Sequence, residues 1–180
     1  MHGPVRMALT GSPGVGKTTL SSLLEERGIE VVSVESIAER LDCIDVFDPS
    51  DGARPIDIDE LCSLLEEDWS EKPDASLVIE GHLSHLLPVD CSIVLRCDPS
   101  VLRARLEKRG YSDWKITQNV EWEIIGGPWS EIVEDIPLLE VDTTSGSASS
   151  RIDSIMRWIS DGFKPERPTN PIDWIERGEP

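Results

Sequence analysis

GSPGVGKTT, Gly11 to Thr19, is the stretch whose reading decides the fold of this chain. It fills the pattern G-x-x-x-x-G-K-[ST] with Gly11, Gly16, Lys17 and Thr18. An apolar run from Val5 to Leu9, broken once by Arg6, reads as a strand entering it. Leu20, Leu23 and Leu24 read as the buried stripe of the helix leaving it. Strand, glycine-rich loop and helix form the context the pattern needs. The glycines let successive backbone N–H groups turn inward as an anion cradle, with the positive end of the next helix beneath it. Lys17 would then reach the β- and γ-phosphates of a nucleoside triphosphate, and the Thr18 hydroxyl would hold Mg²⁺.

The 180 residues suffice for one α/β domain with a real core. No apolar run approaches the roughly eighteen residues of a membrane span. The N-terminus runs almost directly into the first strand, so no secretory signal and no membrane are expected, and the expected location is cytoplasmic. Cys43, Cys62, Cys91 and Cys97 form no CxxC pair, no metal-ligand spacing is present, and the four are expected to be reduced. Cys91 and Cys97 flank a predicted strand, where burial is expected. The net charge is −18, from 35 acidic residues against 12 Arg and 5 Lys. Such a surface repels nucleic acid, so direct DNA binding is not expected. Two readings of the charge stand side by side: a salt-rich cell that screens repulsion, or an acidic face that receives a basic partner.

Helical and extended patterns alternate along the chain, which predicts a parallel sheet covered on both faces. Strands are expected at Val5–Leu9, Glu30–Val34, Leu77–Glu80, Ser92–Arg96 and Leu138–Val141. Helices are expected over 17–27, 35–41, 58–69, 99–109, 113–125, 129–135 and 148–161. Asp98 followed by Pro99 reads as an N-cap with proline at the first helical position. Gly28 and Gly110 sit where helix ends call for a left-handed residue. Gly126-Gly127-Pro128 should break the segment after Ile125. Residues 43–57 lack periodicity and read either as an acidic loop over the nucleotide edge or as a surface connection. In the proline-bearing tail, 164–180, Asn170-Pro171 could start a short helix ending before Gly178. Isolated turns are unstable in water, so Trp174 and Ile175 either dock or stay disordered.

Two further constellations carry chemistry. In Val94–Ile116 a strand ends at Arg96 and a helix begins at Pro99, with Val101, Leu102 and Leu106 as its apolar stripe. Arg105 and Arg109 stand four apart on another face, where like charges repel. A polyphosphate between them would explain the pair; ordinary surface arginines meeting acids elsewhere are the other reading. The polar, aromatic-spaced segment beyond suits a short lid that excludes water. In VIEGHLSH, Val78–His85, Glu80 ends a strand where a Walker B carboxylate would hold Mg²⁺ directly or through water. His82 could orient a water or a phosphate, or be a neutral histidine bonded to backbone. His85 is assigned no role.

Taken together, TGSPGVGKTTL, an acid-x-His pair after the next core strand, and VLRCDPSVLRARLEKRGY followed by KITQNVEWEI resemble the adenylate kinase isoenzyme six family. This is the archaeal and eukaryotic group that includes the coilin-interacting nuclear ATPase. The resemblance runs from about Met7 to Phe163. It implies a P-loop NTPase fold of nucleoside-monophosphate-kinase type: a central five-stranded parallel sheet flanked by helices, a kinase domain over 1–163, a monophosphate-binding region at about 33–56 and a lid at about 108–118. It implies ATP contacts at Gly14, Gly16, Lys17, Thr18 and Thr19, with Arg109 in the lid, in a loop that Gly11 and Val15 complete. The acid-x-His pair falls on Glu80 and His82. Arg40 and Arg54 are the only basic residues of the monophosphate region. Better-known members carry aspartate where this chain has Glu80, and they keep residues 126–128 helical. Zinc is not expected, because the lid lacks metal-binding cysteines.

The activity so implied is ATP + AMP = 2 ADP, with MgATP as donor, AMP as acceptor and a slower ATPase. Lys17, Glu80, His82, Arg105 and Arg109 would carry it, with Thr18 and Glu80 at the metal. A role in small ribosomal subunit maturation and rRNA processing comes with the resemblance, the partner being a basic small-subunit ribosomal protein of the S-eleven type. Two alternatives stand beside it: an ATP-switched assembly factor with little kinase turnover, and a P-loop kinase of another small acceptor.

Overall fold

A computed structural model describes residues 3–45, 54–132 and 135–178. Its elements run β1 (Arg6–Thr10), α1 (Lys17–Glu26), β2 (Glu30–Ser33), α2 (Val34–Arg40), α3 (Ile58–Asp68), β3 (Leu77–Glu80), β4 (Cys91–Arg96), α4 (Pro99–Lys108), α5 (Asp113–Ile124), β5 (Leu138–Asp142) and α6 (Ala148–Ser160). Short 3₁₀ turns at Ser84–Leu86 and Gly127–Glu131 complete the order. The five strands are parallel in the order β2-β3-β1-β4-β5.

Strands covered on both faces by crossover helices should be mostly apolar, and β1 and β4 are, apart from Arg6, Thr10, Ser92 and Arg96. Met7 to Thr10 and all of Cys91–Arg96 are buried. One face is sealed by Leu20 and Leu24 of α1, Leu102 and Leu106 of α4, and Ile152, Ile155 and Trp158 of α6. The other is sealed by Val34, Ile37 and Ala38 of α2 with Leu61 and Leu65 of α3. Each buried Leu, Ile or Val among them contributes about 1.5–3 kcal/mol on leaving water. The one charge in β1 is accommodated at the rim. The Arg6 guanidinium lies 4.8 Å from the Trp69 ring centroid and donates to the Glu71 carbonyl at 2.9 Å.

Register then aligns the strand tips. Leu9 and Ser33 both pair opposite Glu80, and Thr10 opposite Val94. The chain thus leaves β1, β2 and β3 side by side, in the crevice at the carboxyl ends of the strands where open α/β sheets bind ligands.

The punctuation operates as expected. The Asp98 carboxylate accepts from the N–H groups of Ser100 and Val101, and Gly28 and Gly110 adopt φ of 81° and 74°. Two expectations are corrected. The helix expected over 129–135 is a 3₁₀ turn at Gly127–Glu131, because Gly126 and Gly127 take left-handed φ and Pro128 donates no N–H; residues 133–134 lie outside the described residues. The helix expected from Asn170-Pro171 is one turn capped at Asp173, whose carboxylate accepts from Ile175 and Glu176. In the tail Trp174 docks at 3% exposure, while Ile175 stays 64% exposed. Part of the expected monophosphate region, 46–53, also lies outside the described residues.

Candidate nucleotide site

The loop between β1 and α1 is shaped by three glycines with positive φ: Gly11 at 140°, Gly14 at 91° and Gly16 at 106°. A Cβ on Gly11 would stand 2.5 Å from the Leu95 carbonyl oxygen, so only glycine lets the loop lie this close to β4. Gly16 caps α1 in a left-handed conformation and makes no side-chain cap, leaving the first amides of the helix directed at the loop. The Lys17 Nζ donates to the carbonyls of Gly11 at 2.8 Å and Ser12 at 3.2 Å, tying the start of the loop to its end. Burial lowers the Lys17 pKa to about 8, with Glu80 and Glu123 opposing the shift and the Arg109 charge reinforcing it. Lys17 is therefore an incompletely solvated cation that an anion would re-stabilise.

Two cavities open on either side of this lysine. The first, about 260 Å³, lies between the loop and α4 and is lined by Gly14, Val15, Gly16, Thr19, Arg105 and Arg109. Arg151 of α6 also lines it and donates to the carbonyls of Asp142 and Ser145. No signal near the glycine loop marks Arg151, because only packing of α6 against α1 brings it there. The Arg105 guanidinium is engaged, donating to the Thr143 carbonyl at 2.7 Å. Arg105 of α4 and Arg109, which caps its C-terminus, thus share the cleft, but Arg105 lies along its wall.

The second cavity, about 610 Å³, is lined by Lys17, Ser33, Arg54, Glu80, His82 and Tyr111. Glu80 stands at the tip of β3 beside the loop. His82 is exposed at the cavity wall; its pKa is lowered, first by the protein packed around it, then by the charges of Lys17 and His85. Arg54 lines this cavity while paired with Glu39. Arg40 does not join it. Arg40 sits at the far end of α2, whose first residues line the cavity, and it faces a separate cleft with Arg6 and Trp69.

Sequence reasoning passed over His85, which is buried and central to the site's frame. Its Nδ1 lies 2.9 Å from the Thr10 Oγ1 and its Nε2 2.9 Å from a Glu131 carboxylate oxygen. A neutral ring satisfies both, accepting from Thr10 and donating to Glu131, and burial lowers its pKa against the pull of Glu131. The ring thereby pins the end of β1 to the segment that carries His82. Thr18, at the second position of α1, is exposed. Among the described residues no group of three or more His, Cys, Asp or Glu could hold a metal by itself. Hard oxygen donors from one hydroxyl and one carboxylate, Thr18 and Glu80, fit Mg²⁺, which is usually held by one or two protein oxygens together with phosphates and waters. The four cysteines are free thiols; burial pushes the Cys97 pKa up to about 11 and that of Cys91 higher still. No described helix is long and apolar enough to cross a membrane.

Comparison with known proteins bears on the family and the fold. The family model described as "AAA domain" matches residues 7–126. A "Putative adenylate kinase" of Pyrococcus abyssi is 39% identical over 172 residues, 94% of this chain and 91% of that protein. One of the same name from Methanothermobacter thermautotrophicus is 43% identical over 153 residues, 83% of this chain and 86% of that protein. Among solved structures, shikimate kinase from Acinetobacter baumannii superposes with a TM-score of 0.59 at 16% identity, covering 88% of this chain and 94% of that one. That likeness is one of fold, a five-stranded P-loop kinase sheet.

Proposed function

We propose, from the premise that this chain belongs to the AAA-domain family and to that of the archaeal adenylate kinase relatives above, that it catalyses ATP + AMP = 2 ADP. The observation that carries the proposal is that consecutive residues, Gly16 and Lys17, line two separate cavities. A hydrolase needs one nucleotide pocket and a water; a phosphoryl transferase needs donor and acceptor pockets meeting at the cation that follows the moving charge. The smaller cavity would take ATP, with Gly11, Gly14, Val15, Gly16, Thr18 and Thr19 at its phosphates. The larger would take AMP, with Arg54 toward its phosphate.

In the reaction, an oxygen of the AMP phosphate bonds to the γ-phosphorus as the β–γ bridging bond breaks, and the leaving electrons stay on ADP. Lys17 lines the larger pocket next to Gly16 of the smaller one, and would hold the charge that spreads over the transferring oxygens. Its lowered pKa rises again once phosphate surrounds it, so the cation is strongest in the loaded site. Arg109, and Arg105 once turned from Thr143, clamp the phosphates, and His82 orients the acceptor or a water. Thr18 and Glu80 would hold Mg²⁺, partly through water; the metal supplies charge neutralisation between the phosphates. Lid residues 108–118 include Tyr111, which faces the acceptor cavity, and their closure would exclude water.

The finer placement in the isoenzyme six family, with a slower ATPase, cytoplasmic location and a role in small ribosomal subunit maturation, rests on the motifs and on the −18 charge, which suits a basic ribosomal protein. The deciding measurement is ATP turnover with each nucleoside monophosphate, with shikimate-like small acceptors, and with none. Strong stimulation by AMP is expected. Turnover indifferent to every acceptor would replace the kinase with an ATPase switch.

A further inference from the structure

The C-terminal segment reaches the phosphate loop through a chain of buried hydrogen bonds. At its centre Glu123 of α5 is fully buried. Its Oε1 accepts from Arg96 Nε at 2.7 Å, from the Cys97 backbone N–H at 3.1 Å and from the Trp174 indole N–H at 3.0 Å. Its other oxygen, Oε2, accepts from the Ser12 hydroxyl at 2.8 Å. Ser12 is itself 1% exposed, so its side chain turns away from the phosphate cradle and into the core. The Ser12 carbonyl in turn accepts from Lys17 Nζ. Trp174, Glu123, Ser12 and Lys17 therefore form one continuous line from the tail to the cation of the site.

The tail is held to this line at more than one point. Arg96, also buried, donates to the Ile172 carbonyl at 3.1 Å and to Glu140 at 2.8 Å, and Glu140 accepts from the Ile172 N–H at 2.7 Å. A buried carboxylate is costly unless its lone pairs are filled. Here one of the donors that fill them comes from a residue 51 positions along the chain, in the tail. Without the indole N–H, Glu123 would have one fewer constraint on where its Ser12-facing oxygen lies. The charge of Glu123 also bears on Lys17, raising its pKa.

We propose that Trp174 is a positioning residue of the nucleotide site, which through Glu123 fixes Ser12 and hence the phosphate loop, so that the tail is part of the ATP-binding machinery. The proposal rests on the reading of Gly11–Thr19 as an ATP site. It is tested on the full chain by equilibrium binding of ATP, alongside thermal unfolding, in the wild type, Trp174→Phe, Ser12→Ala, the double variant and Ile175→Ala. Trp174→Phe keeps an aromatic ring and deletes the indole N–H together with part of the bicycle, a packing loss that thermal unfolding registers separately. It should weaken ATP binding about fivefold, the worth of one hydrogen bond, in a protein still folded at the assay temperature. Ser12→Ala should weaken binding at least as much, and Trp174→Phe should add less than twofold on top of it, because the line is already cut. Ile175→Ala, an exposed neighbour, should bind as the wild type does. A Trp174→Phe protein that melts earlier yet binds ATP unchanged would overturn the inference alone, as would losses that multiply independently in the double variant. A wild type that binds no ATP would overturn both this inference and the function it rests on.

Discussion

Replacing Lys17 by methionine and then raising the pH tests the electrostatics of the site without any ligand. Lys17 has a pKa of about 8 in the folded protein against 10.5 for an ordinary lysine, chiefly because burial strips water from the ammonium. The unfolded chain thus binds this proton more tightly than the folded one does, and stability rises with pH between the two values. At pH 7 the charged form costs the fold about 3 kcal/mol, and at pH 9.5 about 1 kcal/mol, by the conversion of 1.36 kcal/mol per pKa unit. Lys17→Met lacks this term, while the other alkaline titrations are common to both proteins and cancel in the difference. The wild type should therefore gain about 2 kcal/mol relative to Lys17→Met between pH 7 and pH 9.5. Urea unfolding of both proteins at the two pH values, followed by tryptophan fluorescence, measures it. A gap between the two proteins that stays the same at both pH values would refute the argument that Lys17 is held as a poorly hydrated cation. The same variant should lose at least about a thousandfold in phosphoryl transfer, since a cation on the transferring group is removed.

Gly11→Ala should cost about 3 kcal/mol, because it combines a strained φ of 140° with a Cβ 2.5 Å from the Leu95 carbonyl; thermal unfolding should show a fall in Tm of about 10 °C, and a fall under 2 °C would contradict the tight approach of loop to β4. Arg109→Ala should lower AMP-dependent turnover about a thousandfold, whereas Arg40→Ala, facing a different cleft, should leave the KM for AMP within twofold of wild type; a matching loss in Arg40→Ala would put that arginine back in the acceptor site.

What the amino-acid sequence determined by itself is what neighbouring residues decide. The pattern of glycines with Lys17 and Thr18 set the loop, the Asp98-Pro99 pair set the start of α4, and Gly28 and Gly110 ended α1 and α4. Strand and helix periodicity placed all five strands and six of the helices to within a residue or two, since which face is apolar is written in the chain. The Gly126-Gly127-Pro128 break was legible for the same reason, but the length of the turn after it was not. A 3₁₀ turn and a helix begin with the same residues; the left-handed Gly126 and Gly127 hold the segment to the turn, whose Trp129 packs in one cluster with Val94 and Leu138.

The tertiary structure decided the rest, because the contacts that matter join residues far apart in sequence. Ser12 meets Glu123 across 111 positions, and Thr10 meets His85 across 75. Neither Glu123 nor His85 carries a local signal. Each looks like one more polar residue on a short element until strand order buries it beside β1. Arg40 and Arg54 are equal by composition, yet one lies at the far end of α2 and the other at the cavity beside Lys17 and Glu80. Trp174 could dock or hang free on sequence grounds. It docks because β4 and α5 present a buried carboxylate with a lone pair to fill, and an indole N–H at the right distance fills it.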